Sequence, residues 1–244
     1  MMITKKTILI TGGTSGIGLA LVKKLCAHNT ILVLARSAKK LEELFFAEQN
    51  IACYPCDLTS PAHITECVKN ITHDYPEISV LINNAGIQFT PRFTEKEFRL
   101  ESINEEIQVN LQAPLLLSAL LIKHWQSQNR ECSIVNISSA LAIFPKTSAA
   151  VYCATKSALH NFSVSLGYQL EDTSIRVHEA ILPLVNTPMT NGRSGKKISA
   201  DTAAQEIIIG MCKRKKFIYV GKTKWIPLLA RISPAFIAKV LKKY

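Results

Sequence analysis

Several features are missing from this sequence of 244 residues, and each omission excludes a class of protein. No apolar run reaches the roughly 18–20 residues that a membrane-spanning helix needs. The first strand-like run, Thr7–Thr11, lies close to Met1, so we expect no secretory signal peptide. Because the chain also lacks repeats, low-complexity stretches and long linkers, we expect one cytoplasmic domain.

Acidic residues are absent from the end of the chain. Residues 213–244 contain ten Lys and Arg and no Asp or Glu, whereas the preceding residues carry 19 basic and 18 acidic side chains. The formal net charge of +11 therefore belongs to the tail. The nearly neutral body gives no electrostatic reason to expect a nucleic-acid partner.

A second pair of closely spaced cysteines is also missing. Cys53 and Cys56 form a single CxxC pair among seven scattered cysteines, and zinc would need two further ligands at a fitting spacing. A redox-active pair would begin a helix, whereas this pair ends a predicted strand. We therefore expect free thiols in a reducing compartment and no metal site.

The sequence does contain a regular alternation of short β-branched runs and longer helical stretches. Several runs are wholly apolar, as in strands buried on both faces of a parallel sheet. The predicted strands are Thr7–Thr11, Ile31–Ala35, Ile51–Cys56, Ser79–Asn83, Ser133–Ser138, Ile175–Leu182 and Phe217–Val220. The predicted helices are Ile17–Asn29, Ala38–Glu48, Pro61–Asp74, Ile103–Gln128, Ala149–Glu171 and Ala200–Lys213.

This alternation predicts an α/β fold. We expect a single doubly wound parallel sheet, Rossmann-like, of about seven strands with helices on both faces. The oxidoreductase-like domain would span residues 1–220, followed by a basic, apolar C-terminal tail over residues 221–244.

A glycine-rich segment joins the first predicted strand to the first predicted helix. It reads Thr-Gly-Gly-Thr-Ser-Gly-Ile-Gly over residues 11–18. Glycines let the backbone turn tightly and approach a pyrophosphate, and the N-terminus of the helix offers free N–H groups to the anion. The residues expected to contact a dinucleotide here are Gly12, Thr14, Ser15, Gly16, Ile17 and Gly18.

No acid ends the second predicted strand, where a carboxylate would bind the adenosine ribose of NAD(H). Arg36 and Ser37 stand there instead. A guanidinium can pair with a 2′-phosphate through two hydrogen bonds, so the sequence favours NADP(H) as the cofactor over NAD(H). The alternative is that Arg36 is a solvated loop residue.

Four motifs occur together in one order. They are the glycine-rich segment, Asn-Asn-Ala-Gly at 83–86, Ser139, and Tyr-Cys-Ala-Thr-Lys at 152–156. Over roughly residues 3–220 the chain resembles the short-chain dehydrogenase/reductase family, and the sequence at 84–88, 109–114 and 151–156 looks most like its bacterial DltE-like branch. The resemblance implies an oxidoreductase, acting on a small carbonyl or alcohol substrate, that assembles as a homo-oligomer.

The last motif carries chemistry of its own. Tyr152 and Lys156 are at i and i+4 of one predicted helix, so both side chains share a face. The neighbouring ammonium is expected to lower the pKa of the phenol, which could then exchange a proton with a carbonyl or alcohol oxygen. Ser139 is expected to hydrogen-bond that oxygen, although Ser138 beside it is the alternative.

The resemblance implies the remaining assignments. Lys156 would also bind the nicotinamide ribose, and Asn110 would be a fourth catalytic residue at a helix irregularity. Besides Tyr152 and Lys156, the other expected cofactor contacts are Asp57, Leu58, Asn84, Ala85, Gly86, Pro183, Val185 and Thr187. One departure from the family pattern is Leu184 in place of glycine, which restricts the backbone and adds bulk near the nicotinamide.

Two segments are candidates for the substrate pocket. The polar stretch 190–197 contains Arg193, Lys196 and Lys197 and is predicted to form a mobile lid. Apolar walls are expected from the loop 87–99, with Phe89, Phe93 and Phe98, and from Leu141, Phe144 and Met189. We expect a hydrophobic carbonyl compound with an anionic end.

The tail over residues 222–244 mixes apolar and basic residues, with Trp225 near one end. Two expectations stay open: packing against the body or a neighbouring subunit, and weak binding to an anionic membrane surface. Two alternative functions follow, a nucleotide-binding regulator with little turnover and a membrane-associated protein acting through its tail. A complete set of Ser139, Tyr152 and Lys156 argues against the regulator, which has no need of a proton relay.

Overall fold

The computed structural model describes residues 3–126, 128, 130–232 and 242. The strands are β1 (Thr7–Thr11), β2 (Thr30–Ala35), β3 (Ile51–Pro55), β4 (Ile78–Asn83), β5 (Cys132–Ser139), β6 (Ile175–Leu182), β7 (Val185–Asn186), β8 (Ile198–Ser199) and β9 (Phe217–Tyr219). The α-helices are α1 (Gly16–Leu25), α2 (Ala38–Phe45), α3 (Pro61–Asp74), α4 (Glu101–Ile107), α5 (Ala113–Trp125), α6 (Ala150–Gln169), α7 (Ala200–Cys212) and α8 (Ile226–Ile232).

Seven of the strands form one parallel sheet in the order β3-β2-β1-β4-β5-β6-β9. This confirms the predicted doubly wound fold. The chain winds outward in one direction from β1 and then returns to start the other half at β4. Ligands of such sheets bind where the order reverses, at the carboxyl ends of the strands. The short strands β7 and β8 pair with each other in a separate ribbon that the sequence did not predict.

The sheet is buried on both faces because neighbouring residues of each strand point in opposite directions. Ile8 and Ile10 of β1 pack in one cluster with α1, α2 and α7, whereas Leu9 packs in the other with α3, α5 and α6. All three side chains are fully buried. Burial of each such side chain contributes about 1.5–3 kcal/mol, so the apolar strand runs hold the layers together.

The long helix predicted over 103–128 is wrong as a continuous α-helix. It begins at Glu101, and residues Gln108–Gln112 form a π-helical turn between α4 and α5. Pro114 in the first turn of α5 has no backbone N–H to donate, which removes one α-helical hydrogen bond at this point. Such turns are common at functional sites, and this one contains Asn110.

The first part of the predicted tail packs on the body. A 3₁₀ turn over Gly221–Trp225 leads into α8, and the buried Thr223 hydroxyl donates to the Ile181 carbonyl at 2.8 Å. Ile226 packs with Ala140 and Phe144 in a third apolar cluster. Residues 233–241, 243 and 244 of the predicted tail lie outside the described residues. In the described part of the chain no helix is long and apolar enough to span a membrane.

All seven cysteines are free thiols. The two members of the CxxC pair have different partners, since the Cys53 thiol contacts the Leu41 carbonyl at 3.9 Å and the Cys56 thiol hydrogen-bonds the Cys67 thiol of α3. Within the described residues no group of three His, Cys, Asp or Glu side chains is arranged to hold a metal.

Candidate active site

A cleft of about 1050 Å³ runs along the carboxyl edge of the main sheet. Parallel strands end at the same edge, so motifs that are far apart in sequence meet there. The predicted site residues that line the cleft are Gly12, Thr14, Ser15, Gly16, Ile17, Arg36, Asp57, Leu58, Asn84, Ala85, Gly86, Ser139, Tyr152, Lys156, Pro183, Val185 and Thr187. The predicted residues Gly18, Ser37 and Asn110 are not part of the lining.

The glycine turn is built for close backbone approach. Gly12 and Gly16 have φ values of +68° and +52°, which favour glycine. A Cβ on Gly18 would lie 2.3 Å from the Gly12 carbonyl oxygen, so this glycine closes the turn against α1. The Ser15 side chain makes no capping hydrogen bond, which leaves the first N–H groups of α1 available to an anion. The turn therefore fits a pyrophosphate.

Thr11 and Asn84 clamp β1 to β4 beside this turn. The Thr11 hydroxyl oxygen accepts from the backbone N–H groups of Asn84 at 3.0 Å and Ala85 at 2.9 Å. In return the Asn84 amide donates to the carbonyls of Thr11 at 2.9 Å and Gly12 at 3.2 Å. Sequence reasoning missed Thr11, whose only signal was its place at the end of the first strand.

Arg36 directly follows β2 and is an exposed residue on the wall of the cleft. It forms no ion pair within the described residues, so its guanidinium is available to a ligand. At the end of the neighbouring strand β3, hydrogen bonds from Thr59 hold the pKa of Asp57 below its usual value, and the charge of Arg36 acts in the same direction. Ser37 instead caps α2, accepting from the Lys40 N–H at 3.2 Å.

Tyr152 and Lys156 lie side by side on α6. The Lys156 Nζ is 5.7 Å from the centroid of the Tyr152 ring and donates to the Ile137 carbonyl of β5 at 2.8 Å. Both side chains are buried. The Lys156 hydrogen bond fixes the ammonium between the helix and the sheet, next to the phenol.

Burial sets the protonation of this pair. It raises the pKa of Tyr152 to about 12 and lowers the pKa of Lys156 to about 8. The expected lowering of the phenol pKa is therefore wrong for this arrangement, because desolvation outweighs the nearby charge of Arg193 and the hydrogen bond with Ser139. At neutral pH the pair consists of a neutral phenol and a mostly charged ammonium.

Of the two adjacent serines, Ser139 is the one beside the phenol. It hydrogen-bonds Tyr152, and its oxygen accepts from the Leu141 N–H at 3.1 Å at the start of a 3₁₀ turn. The Ser138 hydroxyl is buried and has no partner within the described residues. The geometry thus favours Ser139 over Ser138 as the group that meets a substrate oxygen.

Asn110 lies fully buried behind the pair, in the π-helical turn. Its side chain exchanges two hydrogen bonds of 2.8 Å with the backbone of Ile87 and donates to the Thr155 hydroxyl at 3.4 Å. A Cβ on Gly86 would be 3.3 Å from the Asn110 Oδ1 and 3.9 Å from the Lys156 Nζ. In this arrangement Asn110 holds the loop after β4 against α6.

Leu184 is half-buried in the wall of the cleft and does not adopt a positive φ. The loss of glycine at this position therefore causes no backbone strain. The Leu184 carbonyl accepts from the Ile198 N–H at 3.2 Å, next to the β7–β8 ribbon. Hydrogen bonds also hold the predicted lid, residues 190–197, near both of its ends. The Thr190 hydroxyl donates to the Val185 carbonyl at 2.6 Å, and the Lys197 ammonium donates to the Thr190 carbonyl at 2.6 Å.

The substrate end of the cleft differs from the prediction. Leu141, Met189, Arg193 and Lys196 line it, but the predicted aromatic wall does not. Phe93 and Phe98 stack on each other with centroids 4.3 Å apart, outside the lining, because Phe93 is exposed in the loop. Gln88 lines the cleft from the predicted loop 87–99, and lining residues that the sequence reasoning did not assign to the pocket include Glu105, Lys146, Lys222, Thr223, Ile226 and Leu229. Lys146 alone gave a signal, as a cation in an otherwise uncharged stretch.

These features define a nucleotide-binding protein of the Rossmann type, with a buried tyrosine–lysine pair at its binding edge. A profile of the family described as "short chain dehydrogenase" matches residues 6–197. The chain belongs to the short-chain dehydrogenase family of oxidoreductases, as the four motifs predict, and to its DltE-like branch, as the sequence at 84–88, 109–114 and 151–156 predicts.

Relatives support this assignment over most of the chain. The "Uncharacterized oxidoreductase DltE" of Bacillus subtilis (strain 168) is 37% identical over 225 residues, 89% of each chain. A "Fatty acyl-CoA reductase" of Acinetobacter baylyi is 32% identical over 94% of this chain and 80% of the relative. A Burkholderia cenocepacia short-chain dehydrogenase solved with NADP is 20% identical, with a TM-score of 0.87 over 99% of both chains, and shares the fold.

Proposed function

We propose that this protein is an NADP(H)-dependent oxidoreductase that interconverts a carbonyl compound and its alcohol, with Tyr152 as the general acid and base. The observation that carries the proposal is that the glycine turn and the group Ser139, Tyr152 and Lys156 line one cleft. A regulator without turnover would have no need of a buried proton donor held beside an ammonium.

The residues of the cleft fit a dinucleotide. The glycine turn and the start of α1 would hold the pyrophosphate, and Asp57 and Leu58 would adjoin the adenine. Lys156 would meet the nicotinamide ribose, and Val185 and Thr187 the carboxamide. When bound, the nicotinamide supplies or accepts the hydride.

The chain supplies the proton and holds the substrate. Ser139 and Tyr152 donate hydrogen bonds to the substrate oxygen and so fix the carbonyl carbon in one orientation. Tyr152, neutral at pH 7, gives its proton to the oxygen as the alcohol forms. The Lys156 ammonium then stabilises the phenolate in a water-poor site, where its charge acts strongly. Asn110 positions the surrounding loop by binding Ile87.

Arg36 carries the preference for NADP(H). Its guanidinium, which forms no ion pair within the described residues, lines the cleft directly after β2, where it would donate hydrogen bonds to a 2′-phosphate. The sequence has no carboxylate at that strand end to select NAD(H).

The substrate half of the cleft favours an apolar carbonyl compound. Apolar side chains from four separate segments line it: Leu141, Leu184, Met189, Ile226 and Leu229. A relative named for reduction of fatty acyl-CoA is consistent with such a surface. We propose a substrate with an apolar chain next to the reacting carbon.

The described part of the tail suggests weak peripheral contact with a membrane as a second, accessory property. Trp225 and Ile232 are 61% and 70% exposed, and Lys222 and Arg231 flank them. Such a surface suits the interface of an anionic bilayer. The test is co-flotation with anionic vesicles at low salt, with Trp225→Ser as the matched variant. Absence of wild-type co-flotation would exclude the idea.

We also propose a homo-oligomer. Helices α5 and α6 carry half-buried apolar residues, including Leu116, Ile122 and Phe162, that pairing across a two-fold axis would cover. Light scattering coupled to size-exclusion chromatography measures the mass directly, and a monomer at working concentration would refute this assembly.

The first experiment is a titration of the purified protein with NADPH and NADH, followed by nicotinamide fluorescence. We expect NADPH to bind more tightly, and the NADPH complex to reduce members of a panel of apolar aldehydes and ketones. Tighter binding of NADH would refute the proposed role of Arg36 in selecting NADP(H), but the proposed oxidoreductase activity would stand. Failure to bind either cofactor would contradict the proposed function itself.

A further inference from the structure

A buried cation lies at the substrate end of the cleft, and the described residues offer it no acidic partner. Lys146 is only 7% exposed, yet it lines the cleft between the 3₁₀ turn after β5 and the start of α6. No Asp or Glu forms an ion pair with it within the described residues. Burying a charge in this way costs several kcal/mol unless something offsets it.

A second cation faces the same space from the lid. Arg193 is half-buried, lines the cleft and has no carboxylate partner in the described chain. Its Nη1 donates to the Oε1 of Gln88, which orients the guanidinium. The Nε2 of Gln88 is itself buried and unpartnered among the residues described. Among the described residues, the Lys146 ammonium and the Gln88 Nε2 thus have no acceptor, and the only acceptor recorded for the Arg193 guanidinium is the Gln88 Oε1.

Arg193 adjoins the proposed catalytic tyrosine, and Lys146 lies near Arg193 in the same cleft. The charge of Arg193 acts on both Lys146 and Tyr152, lowering the pKa of each, although burial dominates both groups. The nearby acids have other partners: Glu105 pairs with Arg99, and Glu106 accepts from the Phe89 N–H at 2.7 Å. An anion in this space would therefore lie close to the carbonyl that Tyr152 protonates.

We propose that Lys146 and Arg193, oriented by Gln88, form a subsite for a carboxylate carried by the substrate. This inference rests on the proposed function and narrows its substrate class to oxo acids, which are aldehydes or ketones with a carboxylate a few bonds from the reacting carbonyl. The apolar residues of the cleft then accommodate the rest of the chain. The attraction of the two cations offsets the free energy that the carboxylate loses when it leaves water. The carboxylate in turn offsets the desolvation cost of the two cations.

The test compares matched oxo acids and their methyl esters as substrates with NADPH. Wild-type protein is expected to favour an acid over its ester in kcat/KM by about tenfold or more, since hydrogen bonds to charged groups are strong. Lys146→Met is expected to remove that preference by raising KM for the acid, with little change for the ester. Lys123→Met, which removes an exposed lysine of α5, is the matched control.

Stability separates binding from a structural role. Because Lys146→Met removes an unpaired buried charge, its melting temperature is expected to equal or exceed that of the wild type. A carboxylic acid of the right length is expected to raise the melting temperature of wild-type protein, and its amide to do so less. That shift needs no turnover and is expected to vanish in Lys146→Met.

Three results would overturn the subsite. The first is that wild-type protein and Lys146→Met each reduce the ester and its acid with equal kcat/KM. That result would refute the oxo acids as the substrate class but would leave the proposed oxidoreductase activity standing. Another is weaker NADPH binding in Lys146→Met with unchanged acid preference, which assigns the cation to the cofactor. The third is a preference for phosphate monoesters over carboxylates. Failure of wild-type protein to bind NADPH at all contradicts the proposed function rather than this inference.

Discussion

The two ends of the cleft are built in different ways. The cofactor end consists largely of backbone at the ends of β1 and β4, shaped by Gly12 and Gly16 and fixed by the Thr11–Asn84 clamp. The substrate end consists of side chains from segments as far apart as Gln88 and Arg193. Short contiguous motifs thus form the surface for the cofactor, which the whole family shares. The surface for the substrate, which differs between members, depends on how loops that are distant in sequence meet.

The two ends also hold charge differently. Arg36 at the cofactor end is exposed, so salt screens its attraction for an anion. Lys146 at the substrate end is buried, so salt screens its attraction for an anion only weakly. Substitutions at the cofactor end should therefore alter binding of one class of cofactor, and those at the substrate end the choice among substrates.

The largest effect is expected where the two ends meet, at Tyr152. Tyr152→Phe removes the proton donor and is expected to lower kcat by about 10²–10⁴-fold, while NADPH binding stays close to the wild-type value. Steady-state rates and fluorescence titration measure the two quantities. Tyr168→Phe, an exposed tyrosine on the same helix, is the control. Full activity in Tyr152→Phe would contradict the assigned role.

A second change tests the backbone character of the cofactor end. Gly18→Ala would place a Cβ 2.3 Å from the Gly12 carbonyl oxygen. Relief of that clash must distort the turn, so we expect weaker NADPH binding and a loss of about 1–3 kcal/mol in the free energy of unfolding. Urea denaturation and cofactor titration provide the measurements.

The matched control for that change is Gly167→Ala in the last turn of α6. Its new Cβ would meet only the Lys216 side chain, at 3.6 Å or more, so we expect stability to stay equal or rise by up to about 1 kcal/mol. If Gly18→Ala behaved like Gly167→Ala, the turn would be less closely packed than the structure indicates.

A third change tests cofactor choice. Arg36→Glu is expected to weaken NADPH binding by about 10–100-fold and to leave NADH binding equal or better, because a carboxylate repels a 2′-phosphate and can accept from a ribose hydroxyl. The ratio of the two dissociation constants at low salt is the readout. Lys39→Glu on α2 gives the same charge change nearby. An unchanged ratio in Arg36→Glu would return this residue to the role of a solvated loop residue.

The smallest effect lies outside the cleft, at His160 and Glu179. The His160 Nδ1 is 2.7 Å from the buried Glu179 carboxylate, and that hydrogen bond raises the pKa of His160 in the folded protein. The pair therefore adds stability that is complete below about pH 6.5, the unfolded value, and is lost as pH rises through the raised folded pKa.

Urea midpoints measured across that pH range provide the test. His160→Gln is expected to remove this part of the pH dependence while retaining a hydrogen bond to Glu179. A wild-type profile identical to that of His160→Gln would show that the pair contributes nothing through ionisation.

Local patterns predicted the fold and the cofactor end well. The strand runs, the glycine turn and the i, i+4 spacing of Tyr152 and Lys156 are short-range features, and each occurs where it was expected. The pKa of Tyr152 was mispredicted because desolvation depends on the whole surrounding fold. The same reason hid Lys146, whose burial arises from contacts that its neighbours in sequence do not reveal.

Helix and loop details failed for related reasons. Periodicity alone predicted a continuous helix through Asn110, whereas the family resemblance implied a helix irregularity at this residue, and the π-helical turn is that irregularity. The rings of Phe93 and Phe98 stack on each other within the loop and do not line the cleft. Side chains of Ile226 and Leu229 reach the cleft only because α8 folds back over the sheet edge.

The most direct test of the central claim is isotope transfer. Purified protein is incubated with a panel of oxo acids and apolar ketones and with NADPH deuterated at one or the other C4 position, and the products are analysed by mass spectrometry. We predict an alcohol that carries deuterium on the former carbonyl carbon from one of the two labelled cofactors, formed about 10²–10⁴-fold more slowly by Tyr152→Phe. Tight NADPH binding without a deuterated alcohol from any compound would contradict an oxidoreductase acting through Tyr152.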